Sequence, residues 1–161
     1  VKKLDYECEL AVVLGRDARD VPAGQTRDYI FGYTILNDVS ARDVQTAHKQ
    51  WYFGKSLDGF TPIGPCIVTA DAFADYPPRL GIRSFVNGEK RQDSNTALQI
   101  FDIDHVIAEL SQGMTLKAGT IIATGTPAGV GMGMDPPQFL KPGDVVRCEI
   151  DGIGTLTNLV K

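Results

Sequence analysis

The stretch DYECELAVVLG, residues 5–15, decides how the chain reads. After Glu9 it is apolar and rich in strand formers, so residues 6–14 read as a β-strand buried on both faces. Glu7 and Glu9 stand at its entrance. Residues two apart on a strand point the same way, so two like charges face one spot. Two readings are open. In one, the strand end is exposed and both carboxylates lie in water, the common fate of charged side chains. In the other, a cation sits between them, because paired carboxylates repel and raise each other's pKa without one. Such a site wants a third carboxylate. Asp38, where the apolar run YTILND (33–38) gives way to a loop, is the best placed. Glu7, Glu9 and Asp38 offer only oxygen, which favours Mg²⁺, Mn²⁺ or Ca²⁺ over zinc or copper.

Outward from this strand, RDARDVPAGQT (16–26) is a polar, turn-rich loop and YIFGYTILNDV (29–39) a second strand. Ser40, with Asp43 three residues on, resembles a capping box and opens a short helix over SARDVQTAHKQ (40–50). WYFGKSLDGFTPIGP (51–65), punctuated by Gly and Pro, reads as a long irregular loop. Asn87-Gly88 inside FVNGEKRQ predicts a hairpin, and so does Asp151-Gly152 inside IDGIGTL. DIDHVIAELSQG (102–113) is the clearest helix: Ile103, Val106, Ile107 and Leu110 form one stripe, with Asp102 to cap it and Gly113 to end it. LKAGTIIATG (116–125) and LKPGDVVRCE (140–149) each read as a turn feeding a strand. The class is α+β, mostly β with two modest helices, and not the alternating pattern of a doubly wound sheet.

Composition narrows the function. The chain has 161 residues, enough for one domain with its own core. Its net charge is −4, and no stretch gathers Lys and Arg on one face, which argues against nucleic acid as a partner. Cys8, Cys66 and Cys148 are odd in number and far apart, so they suggest neither a disulfide framework nor a CxxC metal site. That favours a reducing, cytoplasmic setting. No apolar run suggests a membrane partner, and no signal peptide is visible. Beginning with Val1, the sequence reads as processed or as part of a longer product.

Other segments carry weaker signals. GKS (54–56) fails as a P-loop, because Lys49 stands where the earlier glycine belongs. Lys55 is then either a functional ammonium in a Gly-rich loop or a solvated surface lysine. Asp58, followed by Gly59, is a turn residue. ATGTPAGVGMG (123–133) either cradles an anion with its N–H groups or needs glycine for its backbone angles. His48 and His105 read as ordinary helix residues.

Six blocks in order, DYECELAVVLG, GYTILNDVSARDVQ, GKSLDGFTPIGP, VNGEKRQ, ATGTPAGVG and LKPGDVV, resemble the fumarylacetoacetate hydrolase family, in its C-terminal catalytic domain. The resemblance runs through essentially the whole chain. It implies a mixed β-sandwich roll, usually in a homodimer, with a divalent metal, Mg²⁺ or Mn²⁺ first. The family's E-x-E falls on Glu7 and Glu9 and its Asn-Asp on Asn37 and Asp38, so Glu7, Glu9 and Asp38 would hold the metal. Its R-D-x-Q falls on Arg42 and Gln45, its Gly-Lys-Ser lysine on Lys55, and its Gly-Thr-Pro threonine on Thr126. These four would bind substrate oxygens, with Lys55 also catalytic.

This resemblance implies an enzyme acting on a small anionic 2-oxo or β-diketo dicarboxylate through an enolate. C–C hydrolysis, decarboxylation and isomerisation all share that chemistry. Three carboxylates, a divalent ion, Arg42 and Lys55 would give the pocket a charge of +1, suited to an oxo acid. There are departures. Leu57 stands where the family commonly has an aromatic residue, and Ala118 and Thr120 replace the Pro and Asp of a Pro-Gly-Asp turn. The hydrolases and decarboxylases of the family also carry a general-base histidine and a glutamate partner upstream of E-x-E. Six residues precede Glu7 and none is His. The expectation is therefore a single catalytic domain over 1–161 whose base lies in a segment before Val1. The rival is a domain that binds metal and oxo acid without efficient turnover.

Overall fold

The computed structural model describes residues 1–47 and 49–161. His48 lies outside the described residues. The strand expected at 6–14 is β2 (Cys8–Leu14), preceded by a two-residue strand β1 (Leu4–Asp5). Next come β3 (Ile30–Asn37), β4 (Ser40–Ala41), α1 (Arg42–Ala47), α2 (Trp51–Lys55) and β5 (Ile63–Thr69). A hairpin follows, β6 (Gly81–Val86) and β7 (Glu89–Asn95), then α3 (Ile103–Ser111) and β8 (Ile121–Ala123). The hairpin of β9 (Val145–Ile150) and β10 (Gly154–Leu159) closes the chain. The result is mostly β with short helices, as the sequence predicts.

Two four-stranded sheets form the body, in the orders β5-β3-β2-β8 and β10-β9-β6-β7, with every pair antiparallel. Burial of β2 on both faces holds, since all seven of its residues are buried. The period of two sorts them. Cys8, Leu10, Val12 and Leu14 join Tyr33 and Ile35 of β3 in the core, against Ile82, Val146, Cys148 and Ile150 of the other sheet. Glu9, Ala11 and Val13 therefore point to the opposite face. The glutamates are thus carried on the back of the strand that anchors the core, a rigid position.

Both turn signals hold. Asn87 and Gly88 both have positive φ, +52° and +84°, the geometry of a two-residue hairpin turn. α3 is capped as expected, with the Asp102 carboxylate accepting the His105 N–H at 2.8 Å. His105 is exposed and stacked on Phe101, an ordinary surface role.

Two expectations need correction. Ser40 does not cap a helix. It pairs with Asp5 in the β1–β4 ladder, and its hydroxyl donates to the Asp38 carbonyl at 2.8 Å. The segment 51–65 is not a continuous loop either, since it contains α2 and the start of β5. Gly54 misleads because it reads as punctuation. A Cβ there would sit 2.8 Å from Gln45, so glycine is what lets α2 lie directly against α1. Pro65 is tolerated because β5 is an edge strand.

Candidate metal centre

Glu7 and Glu9 leave the back of the sheet at the start of β2. The β2–β3 pairing carries Asp38 to them, because the Asp38 N–H donates to the Glu7 carbonyl at 2.8 Å. Asn37 completes the corner, its side-chain oxygen accepting the Glu7 N–H at 3.1 Å. One carboxylate oxygen from each of Glu7, Glu9 and Asp38 then lies within 4.8 Å of the others. The exposed-strand-end reading is excluded for the glutamates, since both are buried.

Two cations enter the cluster. The Lys55 ammonium, at the end of α2, donates to Glu7 at 2.7 Å and to Asp38 at 2.6 Å. The Arg42 guanidinium meets Glu7 at 2.7 Å. Arg42 is itself buried and held on two further sides, by Asp5 at 2.9 Å and by Gln45 at 3.1 Å. Burial works against its charge, but Glu7 and Asp5 hold its pKa above the usual arginine value. Glu9 differs. Among the described residues it has no ion pair, only the Gly125 N–H at 2.7 Å. Burial first, and then the charges of Asp38 and Glu7, push its pKa up to about 7, against that N–H and Lys55.

A buried carboxylate left short of positive charge, beside two more within reach, is the arrangement a divalent cation satisfies. The donor set is all oxygen and all carboxylate. The residues present fit a hard divalent ion, and this acidic triad could hold one.

The Gly-rich loop does cradle an anion, but the anion belongs to the chain. Asp5, with no exposed surface, accepts from Gly131 N–H at 2.7 Å and Met132 N–H at 2.9 Å, besides Tyr6 N–H at 2.9 Å and Arg42. A Cβ on Gly131 would fall 2.0 Å from the Gln138 carbonyl, so this glycine answers a steric need. The sequence reading passed over Asp5, and also Gln92. Gln92 is fully buried and bonds to both Cys8 and Thr126. Both act through partners distant in sequence and carry no local motif. Thr126 borders a 440 Å³ cavity shared with Thr124, Gln99, Leu98 and Phe101. Gly125, which binds Glu9, lines that cavity, but Glu7, Glu9 and Asp38 do not. Cys8, between the two glutamates, faces the core. The Cys148 thiol beside it and burial raise its pKa, so it is no nucleophile.

The chain belongs to the fumarylacetoacetate hydrolase family. The family described as fumarylacetoacetate (FAA) hydrolase C-terminal matches it over residues 1–161. It is 50% identical over 158 residues to the oxaloacetate tautomerase YisK of Bacillus subtilis, which covers 98% of this chain and 52% of that protein. Among solved structures, a fumarylacetoacetate hydrolase from Exiguobacterium antarcticum superposes with a TM-score of 0.96 at 52% identity, over 100% of this chain and 57% of that one. A 5-carboxymethyl-2-hydroxymuconate delta-isomerase from Mycobacterium smegmatis gives 0.88 at 44% identity, over 98% and 59%. The chain spans about half the length of the curated relatives it matches.

Proposed function

We propose that this chain is the metal-binding catalytic domain of an enzyme that interconverts keto and enol forms of a small 2-oxo dicarboxylate, with oxaloacetate as the first substrate to test. The observation that supports it most is the convergence of Glu7, Glu9 and Asp38 with the Lys55 ammonium inside one cluster. The likeness to an oxaloacetate tautomerase points the same way. Glu7, Glu9 and Asp38 would hold Mg²⁺ or Mn²⁺, which when bound polarises a carbonyl as a Lewis acid.

The chain's own residues do the rest. Arg42 holds Glu7 from behind and is in turn held by Asp5, so the first ligand is fixed before any ion arrives. Gly125 N–H fixes Glu9. Lys55 now pairs with Glu7 and Asp38; with those carboxylates holding a cation, its Nζ would be free to donate to the oxygen that gains negative charge as the enolate forms. The side-chain oxygen of Gln45 accepts from Arg42, so its NH₂ would be a donor for the substrate's remaining oxygens, whereas Thr126, its hydrogen given to the Cys8 carbonyl, would meet only a protonated oxygen. Enolisation needs no attacking water; the proton that leaves the α-carbon would pass to a solvent water and the enolate oxygen would take one back, a route that needs no histidine among these groups.

The test is oxaloacetate tautomerisation followed by enol absorbance, with and without Mn²⁺. Alanine at Glu9 should abolish both Mn²⁺ binding and turnover. Tight Mn²⁺ and oxaloacetate binding with no turnover would hand the site to the binding-domain reading.

A further inference from the structure

We propose that Gln92, which belongs to the opposite sheet and touches neither metal nor substrate, is the positioning residue that holds Glu9 and the 125–127 loop in place for the cation. This rests on the reading that Glu7, Glu9 and Asp38 bind a divalent ion. Gln92 lies on β7, paired across the ladder with Ser84 of β6, and has no exposed surface. Its side chain crosses to the first sheet and makes three bonds there. Its oxygen accepts the Cys8 N–H at 3.1 Å. Its amide nitrogen donates to the Thr126 hydroxyl at 2.8 Å and to the Pro127 carbonyl at 2.7 Å.

The directions of these bonds are forced. A backbone N–H can only donate, so the atom facing Cys8 is the oxygen. A backbone carbonyl can only accept, so the atom facing Pro127 is the NH₂. Thr126 is then fixed as well. Its hydroxyl lies 3.0 Å from the Cys8 carbonyl and must donate there, while accepting from Gln92. One hydrogen and one lone pair of that oxygen are used, so any ligand reaching it must bring its own hydrogen.

The consequence falls on Glu9. Cys8 is the residue between the two glutamates, and Gly125 is the residue before Thr126. Gln92 therefore grips both backbone segments that locate Glu9: its own strand through Cys8 N–H, and the loop whose Gly125 N–H binds its carboxylate. A buried amide with both its ends engaged rigidifies such a junction. An apolar replacement would leave Cys8 N–H and the Pro127 carbonyl without partners and release the loop.

The experiment measures Mn²⁺ affinity by calorimetry, alongside urea unfolding, for Gln92→Met, Thr126→Val, their double variant and Ser84→Ala. Gln92→Met keeps the length and loses all three bonds. We expect it to bind Mn²⁺ at least tenfold more weakly. Thr126→Val should lose part of that, and the double variant no more than Gln92→Met alone. Ser84→Ala, buried beside Gln92, should bind as the parent does. Gln92→Met that is destabilised but binds Mn²⁺ within about twofold of the parent would show a merely structural glutamine and overturn the proposal. So would losses that simply add. Should Gln92→Met not fold, the unsubstituted ¹⁵N-labelled chain decides: the Gln92 side-chain NH₂ signals should be slow to exchange and should shift on adding Mg²⁺. Free exchange, or no shift while Mg²⁺ binds, would overturn it. A parent chain that binds no divalent ion at all would refute the metal reading itself, a result distinct from equal binding by parent and variant.

Discussion

Replacing Asp5 by Ala should be among the most damaging single changes in this chain, although the residue reaches no substrate. Asp5 accepts four bonds: one from Arg42 and three from the N–H groups of Tyr6, Gly131 and Met132. Its removal leaves a buried guanidinium with one carboxylate partner instead of two, and two N–H groups of the Gly-rich loop unpaired. Breaking a buried ion pair on one side costs about 3–5 kcal/mol. For a chain of this length about 2–4 °C is lost per kcal/mol, so the midpoint should fall by roughly 6–20 °C. Calorimetric unfolding measures it directly. Asp5→Asn is the sharper control. It keeps the shape but turns one oxygen into a donor that faces donors, so it should recover only part of the loss. Mn²⁺ affinity should fall in both, because Arg42 released from Asp5 no longer holds Glu7. A loss below about 1 kcal/mol with unchanged Mn²⁺ affinity would refute the reasoning that the Asp5–Arg42–Glu7 chain supports the site.

Three further outcomes follow from the same geometry. Lys55→Met should leave Mn²⁺ affinity equal or higher, because a competing cation is gone, while kcat falls by about 10²-fold if Lys55 meets charge developing in the transition state; a rise in KM alone would make it a substrate anchor. In the metal-free chain Glu9 keeps a proton that the unfolded chain releases above its ordinary value of 4.5, so stability is fully present below pH 4.5 and is lost as pH rises through about 7. The loss is about 3 kcal/mol, from 1.36 kcal/mol per unit, and urea unfolding with excess Mg²⁺ should remove the dependence; a flat metal-free profile would count against a buried, uncompensated Glu9. The chain should self-associate, as the family resemblance implies and as the exposed Trp51, Tyr52 and Phe53 of α2 and Leu98, Ile100 and Phe101 beside the cavity suggest; light scattering that shows a monomer across a wide concentration range would reject this.

What the sequence made legible was whatever short-range periodicity controls. Glu7 and Glu9 share a face because strand period is two, and nothing distant can change that. Asn87-Gly88 and Asp102 act on residues one to three positions away. The failures are all long-range. Gly54 looked like a loop signal until Gln45 was seen to press on it. Ser40 had the spacing of a helix cap, but a strand 35 residues earlier in the chain claimed it. For the Gly-rich loop the sequence leaves open whether it holds an anion, because the anion, Asp5, depends on contacts 126 and 127 residues apart. Gln92, too, has partners 84 and 34 residues away. Motif resemblance marked Glu7, Glu9 and Asp38 as candidate ligands, and their carboxylates do converge; the groups that hold them in place became visible only in three dimensions.

Asp5 also changes the electrostatics expected from the sequence. Counting Glu7, Glu9, Asp38, Arg42, Lys55 and a divalent ion gives +1, a pocket that attracts a dianion by its net field. Asp5 lies 2.9 Å from Arg42 and cancels it, so the cluster with its ion is neutral. Attraction for an oxo acid then has to come from contact and not from field. It would reside in direct ligation by the ion and in the Lys55 ammonium, which would be freed of its carboxylate partners if they held the cation. That division suits enolisation. A pocket with a large standing positive field would hold the keto dianion and the enolate alike, and uniform binding does not speed the chemical step. A neutral cluster with one movable ammonium can favour the state in which negative charge has arrived at a particular oxygen. On the proposed function, the buried aspartate that anchors Arg42 would also keep the site from binding its substrate too well.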